Sequence, residues 1–258
     1  TEPEAKRLDV LLVEKGFFAS RERAQGAIRA GLVKVEGRVR GKPGEKFPPA
    51  VAISVIGDPV PYVGRGGVKL AAALDHFRIE AAGLVAVDIG ASTGGFTDCL
   101  LRRGAARVYA VDVGHGQLVA SLRDDPRVVN LEGTDIRRLA RGVIPGLVDL
   151  VVADVSFISL TKVLPEMIGL PAPGGTIVGL IKPQFEVGPS KVGKGGVVKD
   201  PAARREAVEA VLAAAASLGL LCRGVTESPI SGGDGNIEYL ACWDKPDDAG
   251  SETCRNRV

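Results

Sequence analysis

Long apolar runs are missing from this chain: no stretch of 18 or more apolar residues occurs, and candidates such as "GTIVGLI" from Gly175 have only the length of a strand. A membrane-spanning helix is excluded on that ground. Cysteine is scarce, and Cys99, Cys222, Cys242 and Cys254 form no C-x-x-C pair, so reduced thiols are expected and a structural zinc or other metal site is not. Neither sign of charge prevails. With 33 Lys and Arg against 31 Asp and Glu the net charge is +2, and any affinity for nucleic acid must come from where the charges sit. The chain opens at Thr1 without a basic-then-apolar leader pattern; an initiator methionine is expected to have been removed or replaced, and a cytoplasmic location is expected. What is present is ordinary globular composition, 45% apolar and 25% charged, in a chain of 258 residues, enough for one large or two modest domains.

The most informative stretch is "LVAVDIGASTGGFTD", Leu84 to Asp98. β-Branched residues run into Asp88, a turn follows with Gly90, Gly94 and Gly95, and helical spacing resumes at Phe96. Glycines let backbone N–H groups come close to a ligand, and the start of the next helix favours anionic groups. The turn, Ser92 and Thr93 included, is therefore expected to hold a nucleotide-like molecule. A dinucleotide wants G-x-G-x-x-G and an acid about 20 residues on. Asp112, ending "RVYAVD", meets the second demand, but the glycines are spaced G-x-x-x-G-G. That spacing, with Asp88 at the strand end, suits S-adenosylmethionine better, because its methionine ammonium needs a carboxylate and it has no pyrophosphate to cradle. The dinucleotide remains the alternative.

The first 60 residues differ from the rest. "RLDVLLVEKG" sets Leu8, Leu11 and Leu12 on one helical face; "ASRERAQGAIRAG" opens at Ser20, an N-cap, and closes at Gly31. Short strands follow, one pair around Glu36-Gly37. Between Arg21 and Lys46 eight Lys or Arg stand against three Asp or Glu, a small basic module. Leu8-Asp9, Gly16, Ser20-Arg21, Ala24, Ile28, Gly31, Val33 and Val35-Glu36-Gly37 resemble the signature of the RNA-binding domain of small-subunit ribosomal protein four, over residues 6 to 57. The resemblance implies that Arg7, Ser20, Arg21, Arg23, Arg29, Lys34 and Arg38 face structured RNA.

"GDPVPYVGRGG" reads as a linker over 59–66, between an RNA-binding domain over 1–58 and a larger domain over 67–244, with a polar, fraying tail over 245–258. Arg65 at the linker's exit either contacts RNA or braces the modules. From Val68 helices and strands alternate: a helix over Lys69–Phe77, strands at 84–88, 107–112, 128–131, 148–154 and from 175, a helix opened by Asp200-Pro201, and strands around 221–226 and 237–243. This predicts an α/β fold, a Rossmann-like, doubly wound, mostly parallel sheet. Asp135 in "EGTDIRRL" is either a contact to an adenine amine or a helix N-cap, and His115 reads as a loop contact. The segment "GPSKVGKGGVVK", with Lys191 and Lys194, is either a mobile basic flap meeting RNA phosphates or an idle loop.

Four ionisable residues lie among apolar neighbours: Lys69 in "GGVKLAAAL", Asp154 after "DLVVA", Lys182 after "TIVGLI" and Glu238 in "NIEYLACW". Buried charges are costly unless paired, so together they point to one polar pocket. In order they match the Lys-Asp-Lys-Glu tetrad of FtsJ-type ribose 2′-O-methyltransferases. Fused to a ribosomal-protein-four-like module, and with "DIGASTGGFTDCLL", "DVGHGQL", "ADVSFISL", "IKPQFE" and "KGGVVKDP", the chain resembles the TlyA (haemolysin A) family over all but its tail. That resemblance implies S-adenosylmethionine-dependent 2′-O-methylation of cytidine in ribosomal RNA, with ribosomal RNA or ribosomal subunits as partner. Lys182 is expected to be the base or its organiser, Asp154 its steering partner, Lys69 a clamp on ribose or phosphate, and Glu238 an anchor; Asp112 is expected to hold the donor's ribose diol. Two rival classes are a ribosome-assembly factor that only binds RNA, and a membrane-lytic protein, which the absence of any spanning segment disfavours.

Overall fold

In the computed structural model, described for residues 4–18, 20–56, 61–139, 142–232 and 235–247, the chain separates into two units, residues 1–61 and 62–258, each with its own core. Part of the expected linker (Pro59) and most of the expected tail (248–258, with Cys254) lie outside the described residues.

In the first unit β1 (Lys6–Arg7) runs into α1 (Leu8–Glu14), which buries Leu8, Leu11 and Leu12 as their spacing requires. Ser20 accepts a hydrogen bond from Arg23 N at 3.3 Å and so caps α2 (Arg21–Arg29). β2 (Val33–Val35) pairs with β3 (Arg38–Val39) across the Glu36-Gly37 turn, β4 (Lys46–Phe47) returns to β1, and β5 (Ile53–Val55) pairs with the other edge of β2. Val33 and Val35 point into the core with Ala24, Ala27 and Ile28, while Lys34 between them is half-buried.

In the second unit the elements are α3 (Gly66–Phe77), β6 (Val85–Ile89), α4 (Gly95–Arg102), β7 (Arg107–Asp112), α5 (Ala120–Arg123), β8 (Val128–Glu132), β9 (Val148–Ala153), α6 (Leu164–Met167), β10 (Pro171–Ile181), α7 (Pro183–Glu186), α8 (Pro201–Ser217), β11 (Leu221–Glu227) and β12 (Tyr239–Asp244). The strands form one seven-stranded sheet in the order β11-β12-β10-β9-β6-β7-β8. β10, β9, β6, β7 and β8 are parallel; β12 runs antiparallel to both β10 and β11. Such an α/β sheet with helical connections is the fold expected from the alternating pattern.

The period of two divides the strand residues between two cores. Leu150 and Val152 of β9 pack with Leu70, Leu74, Phe96 and Leu100 of α3 and α4, while Val151 and Ala153 pack on the opposite face with Val211 and Ala215 of α8. α8 is capped by Asp200, which accepts from Ala202 N at 2.9 Å, has Pro201 in its first turn, and buries Ala203, Ala207, Val211 and Ala215 at four-residue intervals. The start of α3 is tied to α4, because Val63 N donates to Asp98 Oδ2 at 2.8 Å. Cys99, Cys222 and Cys242 are free thiols.

Candidate active site

β6 ends at Ile89 and the chain turns at Gly90, whose φ is +83°. A Cβ there would lie 2.5 Å from Asp154 O, so only glycine lets the end of β9 close over the turn. The contact is made firm by Asp154 N, which donates to Ile89 O at 2.9 Å. On its far side the turn meets the start of α3: a Cβ on Gly95 would come within 3.0 Å of Gly67 N. The glycine turn, the end of β9 and the helix that carries Lys69 are thus packed backbone to backbone.

A cavity of about 830 Å³ opens where β6, β7 and β9 end. This lies within the roughly 300–1,000 Å³ of small-molecule sites. Gly90, Ser92, Asp112, Gln117, Asp135 and Asp154 line it, with Val113 and Ile136 as apolar walls. Asp112 accepts from Ser92 N at 2.8 Å through Oδ2 and from Gly114 N at 2.7 Å through Oδ1, which fixes its carboxylate at the cavity wall. Asp135 is both of the things the sequence allowed in position: it lines the cavity, and it caps a short 3-10 turn by accepting from Arg137 N at 3.0 Å. Its side-chain bond with Arg137 holds the carboxyl below the usual range.

Asp88, Thr93, Gly94, Gly95 and Phe96 stand behind the cavity wall rather than on it. Asp88 is fully buried; its Oδ2 accepts from Thr97 Oγ1 at 2.7 Å, and Oδ1 has no hydrogen-bond partner among the described residues. Burial, aided by the charge of Asp154 and opposed by Thr97, pushes this carboxyl up to about 7. Asp112, Asp135 and Asp154 share the cavity wall with Arg137 and Lys162, and Asp112, fixed at the end of β7, offers a carboxylate to a ligand with a diol such as S-adenosylmethionine.

The four residues singled out among apolar neighbours form two ion pairs at this end of the sheet. Lys69 Nζ, from α3, donates to Glu238 Oε2 at 2.5 Å, with side-chain exposures of 9% and 3%. Lys182 Nζ lies 2.7 Å from Asp154 Oδ1, off the axis of a hydrogen bond, and donates to Ser156 Oγ at 2.7 Å. The register explains the meeting. Ile181 faces Tyr239 across β10 and β12, so one step further along the ladder Lys182 stands opposite Glu238. Gly66 at the start of α3 lies against Asp154 Oδ2, one turn before Lys69.

Sequence reasoning missed several participants. Ser156 holds Lys182 and carries no motif beyond following a strand end. Phe157 lines the cavity, is 92% exposed at a φ of +62°, and leans on Phe185 at 5.3 Å between ring centres. A bulky side chain held in the left-handed region marks backbone strain at a working surface. Glu186 ties α7 to the same loop by accepting from Ser159 Oγ at 2.6 Å and Leu160 N at 2.8 Å, and burial pushes its carboxyl up.

The basic residues named from sequence have varied partners. In the first unit Arg7 and Arg21 each approach a carboxylate oxygen of buried Asp9 to 3.0 Å, and Gln25 donates to it at 2.7 Å. These bonds, that from Arg7 first, hold Asp9 well below the usual carboxylate range. Arg29 donates to Gln25 Oε1 at 3.4 Å, Ser20 serves as the cap of α2, Arg38 is exposed, and Arg23 has partners of its own. In the second unit Arg65 donates to Ser231 O at 2.7 Å, Lys191 is ion-paired with Glu206, and Lys194 is exposed.

Both units match known protein families. Residues 62–245 match the FtsJ-like methyltransferase model and residues 6–50 the S4 domain model. A 16S/23S rRNA (cytidine-2′-O)-methyltransferase TlyA of Mycobacterium tuberculosis is 50% identical over 235 residues, 91% of this chain and 88% of that protein. Hemolysin A of Brachyspira hyodysenteriae is 41% identical over 236 residues, 91% of this chain and 98% of that one. A solved Streptococcus thermophilus structure carrying a hemolysin name superposes with a TM-score of 0.73 at 42% identity, covering 96% of this chain and 90% of that chain. With a match to the S4 domain ahead of a match to the FtsJ-like methyltransferase, this chain belongs to the TlyA family.

Proposed function

We propose that this protein transfers a methyl group from S-adenosylmethionine to the 2′-hydroxyl of a cytidine ribose in ribosomal RNA, and does so in the cytoplasm. The observation that supports the reading is the Lys182–Asp154 pair at the cavity wall, with the Lys69–Glu238 pair at the same end of the sheet. Cytidine and ribosomal RNA come from the name of the 50% identical relative.

Asp112 and the Gly90–Ser92 backbone would hold the donor's ribose and methionine parts, with Asp135 toward its base. When bound, S-adenosylmethionine supplies an electrophilic methyl on a sulfonium sulfur. The chain's own work is to align a weakly acidic hydroxyl and take its proton. Lys182 Nζ, set between Asp154 and Ser156 and acting as the neutral amine, receives the proton as the ribose oxygen forms its new bond to the methyl carbon and that carbon's bond to the sulfonium sulfur breaks. Desolvation keeps more of an amine in the neutral form that can accept a proton, and a nearby carboxylate both orients it and opposes that change. Lys69, anchored by Glu238, clamps the ribose or its phosphate. Phe157 offers an apolar ring at the mouth of the cavity, suited to an unstacked base.

Transfer of labelled methyl to purified ribosomal subunits, followed by mapping of the modified ribose, tests the reaction. Lys182→Ala is expected to lower transfer by at least about a thousandfold while calorimetry shows donor binding within a few-fold of wild type. Turnover at the wild-type rate would remove Lys182 from the mechanism, and tighter binding of a nicotinamide dinucleotide than of the methyl donor would overturn the reading.

A further inference from the structure

Residues 193–198 form a small closed structure that the sequence presents only as a glycine-rich basic segment. Gly193 N donates to Val197 O at 3.0 Å and Gly196 N to Gly193 O at 3.1 Å, which closes a tight turn with exposed Lys194 at its tip. The base of the turn is fixed by one side chain. Asn236 Oδ1 accepts from Val198 N at 2.9 Å, and Asn236 Nδ2 donates to Gly196 O at 2.9 Å. Asn236 is 1% exposed, and its main-chain carbonyl accepts from Gly232 N at 2.8 Å; Gly232 in turn lies against Glu238 Oε1. A buried carboxamide with both ends satisfied has one orientation, so the turn is locked to the loop that leads in two residues to Glu238.

We propose that Asn236 is a positioning residue, which holds Lys194 as a fixed contact for a phosphate of the RNA at a set register from the Lys69–Glu238 pair. The partner follows from chemistry: an ammonium on a rigid, exposed turn with two glycines beyond it suits a phosphate oxygen, and carries no base information. Lys191, bound to Glu206, does not have this role. The inference rests on the RNA-methylating reading above.

Steady-state methyl transfer by Asn236→Ala, Lys194→Ala and the double variant of the full chain tests it, together with RNA binding over a range of salt and thermal unfolding. Each single variant is expected to raise KM for RNA about tenfold with kcat within about twofold, and to reduce the salt slope of binding by about one. The double variant is expected to be no worse than either single one. Asn236→Asp keeps the acceptor for Val198 N and loses the donor for Gly196 O, and should fall between. A fall in kcat at unchanged KM, or a full additional effect of Lys194→Ala on Asn236→Ala, would overturn the proposal. Should Asn236→Ala fail to fold, Lys194→Ala decides alone, since an unchanged KM and salt slope there leave Asn236 nothing to position. If wild type transfers no methyl, the binding measurements still test the turn.

Discussion

A carboxyl group without access to solvent gives Asp88 a chemistry of its own. An unfolded aspartate ionises near pH 4, the folded one near about 7. Between those values the folded state holds a proton that the unfolded state has released, so this residue makes stability fall as pH rises through that window, by a few kcal/mol at most, and then level off. Asp9 acts in the opposite sense: its depressed value contributes stability above the unfolded pKa that is lost as the solution becomes acid. Asp88→Asn is therefore expected to flatten the decline between about pH 4 and about pH 7, measured by urea denaturation. A slope equal to that of wild type would mean that Asp88 is ionised in the folded state. The tetrad residues were legible because a lysine or an acid inside an aliphatic run breaks the local pattern. Their pairing was not, since Lys69 reaches Glu238 across 169 residues and nothing local distinguishes it from Asp154 as a partner.

At the level of elements, the glycine turn ties three segments that are remote in sequence. Gly90→Ala is expected to cost about 1–3 kcal/mol from its positive φ and to weaken donor binding at least about tenfold, because the added carbon meets Asp154 O and must push the end of β9 aside. Calorimetry with the methyl donor and chemical denaturation check the two parts; wild-type affinity would show that the end of β9 does not shape the donor site. Strand and helix positions in the second unit were readable from periods of 2 and 3.6 residues. The expected helix at Lys69 starts earlier, at Gly66, because Gly66 and Gly67 show no apolar period and are fixed by packing on Gly95 and Phe96. β1 and β4, two residues each, are too short to carry any period and exist only through each other. The reversed direction of β12 was equally hidden, since direction depends on the connection and not on the strand's own residues.

For the whole molecule, two cores divide the labour. The first unit carries eight Lys or Arg against three acids between Arg21 and Lys46, in a chain whose net charge is only +2. The second unit, residues 62–258, contains the Lys69–Glu238 and Lys182–Asp154 pairs and the cavity. Expressed alone, it is expected to bind the methyl donor within about threefold of the full chain, yet to lose most of its salt-dependent affinity for ribosomal RNA. Filter binding at several salt concentrations and donor calorimetry measure the two quantities. An unaltered salt slope would place the RNA footprint outside the S4 domain.

The place of β12 has a consequence for how such a molecule is made. Without β12 between β10 and β11, β10 would present an unpaired margin open to association with other chains, and the ammonium of Lys69 would lack Glu238, which directly precedes β12. One strand therefore both covers that margin and brings the counter-ion of Lys69 into place.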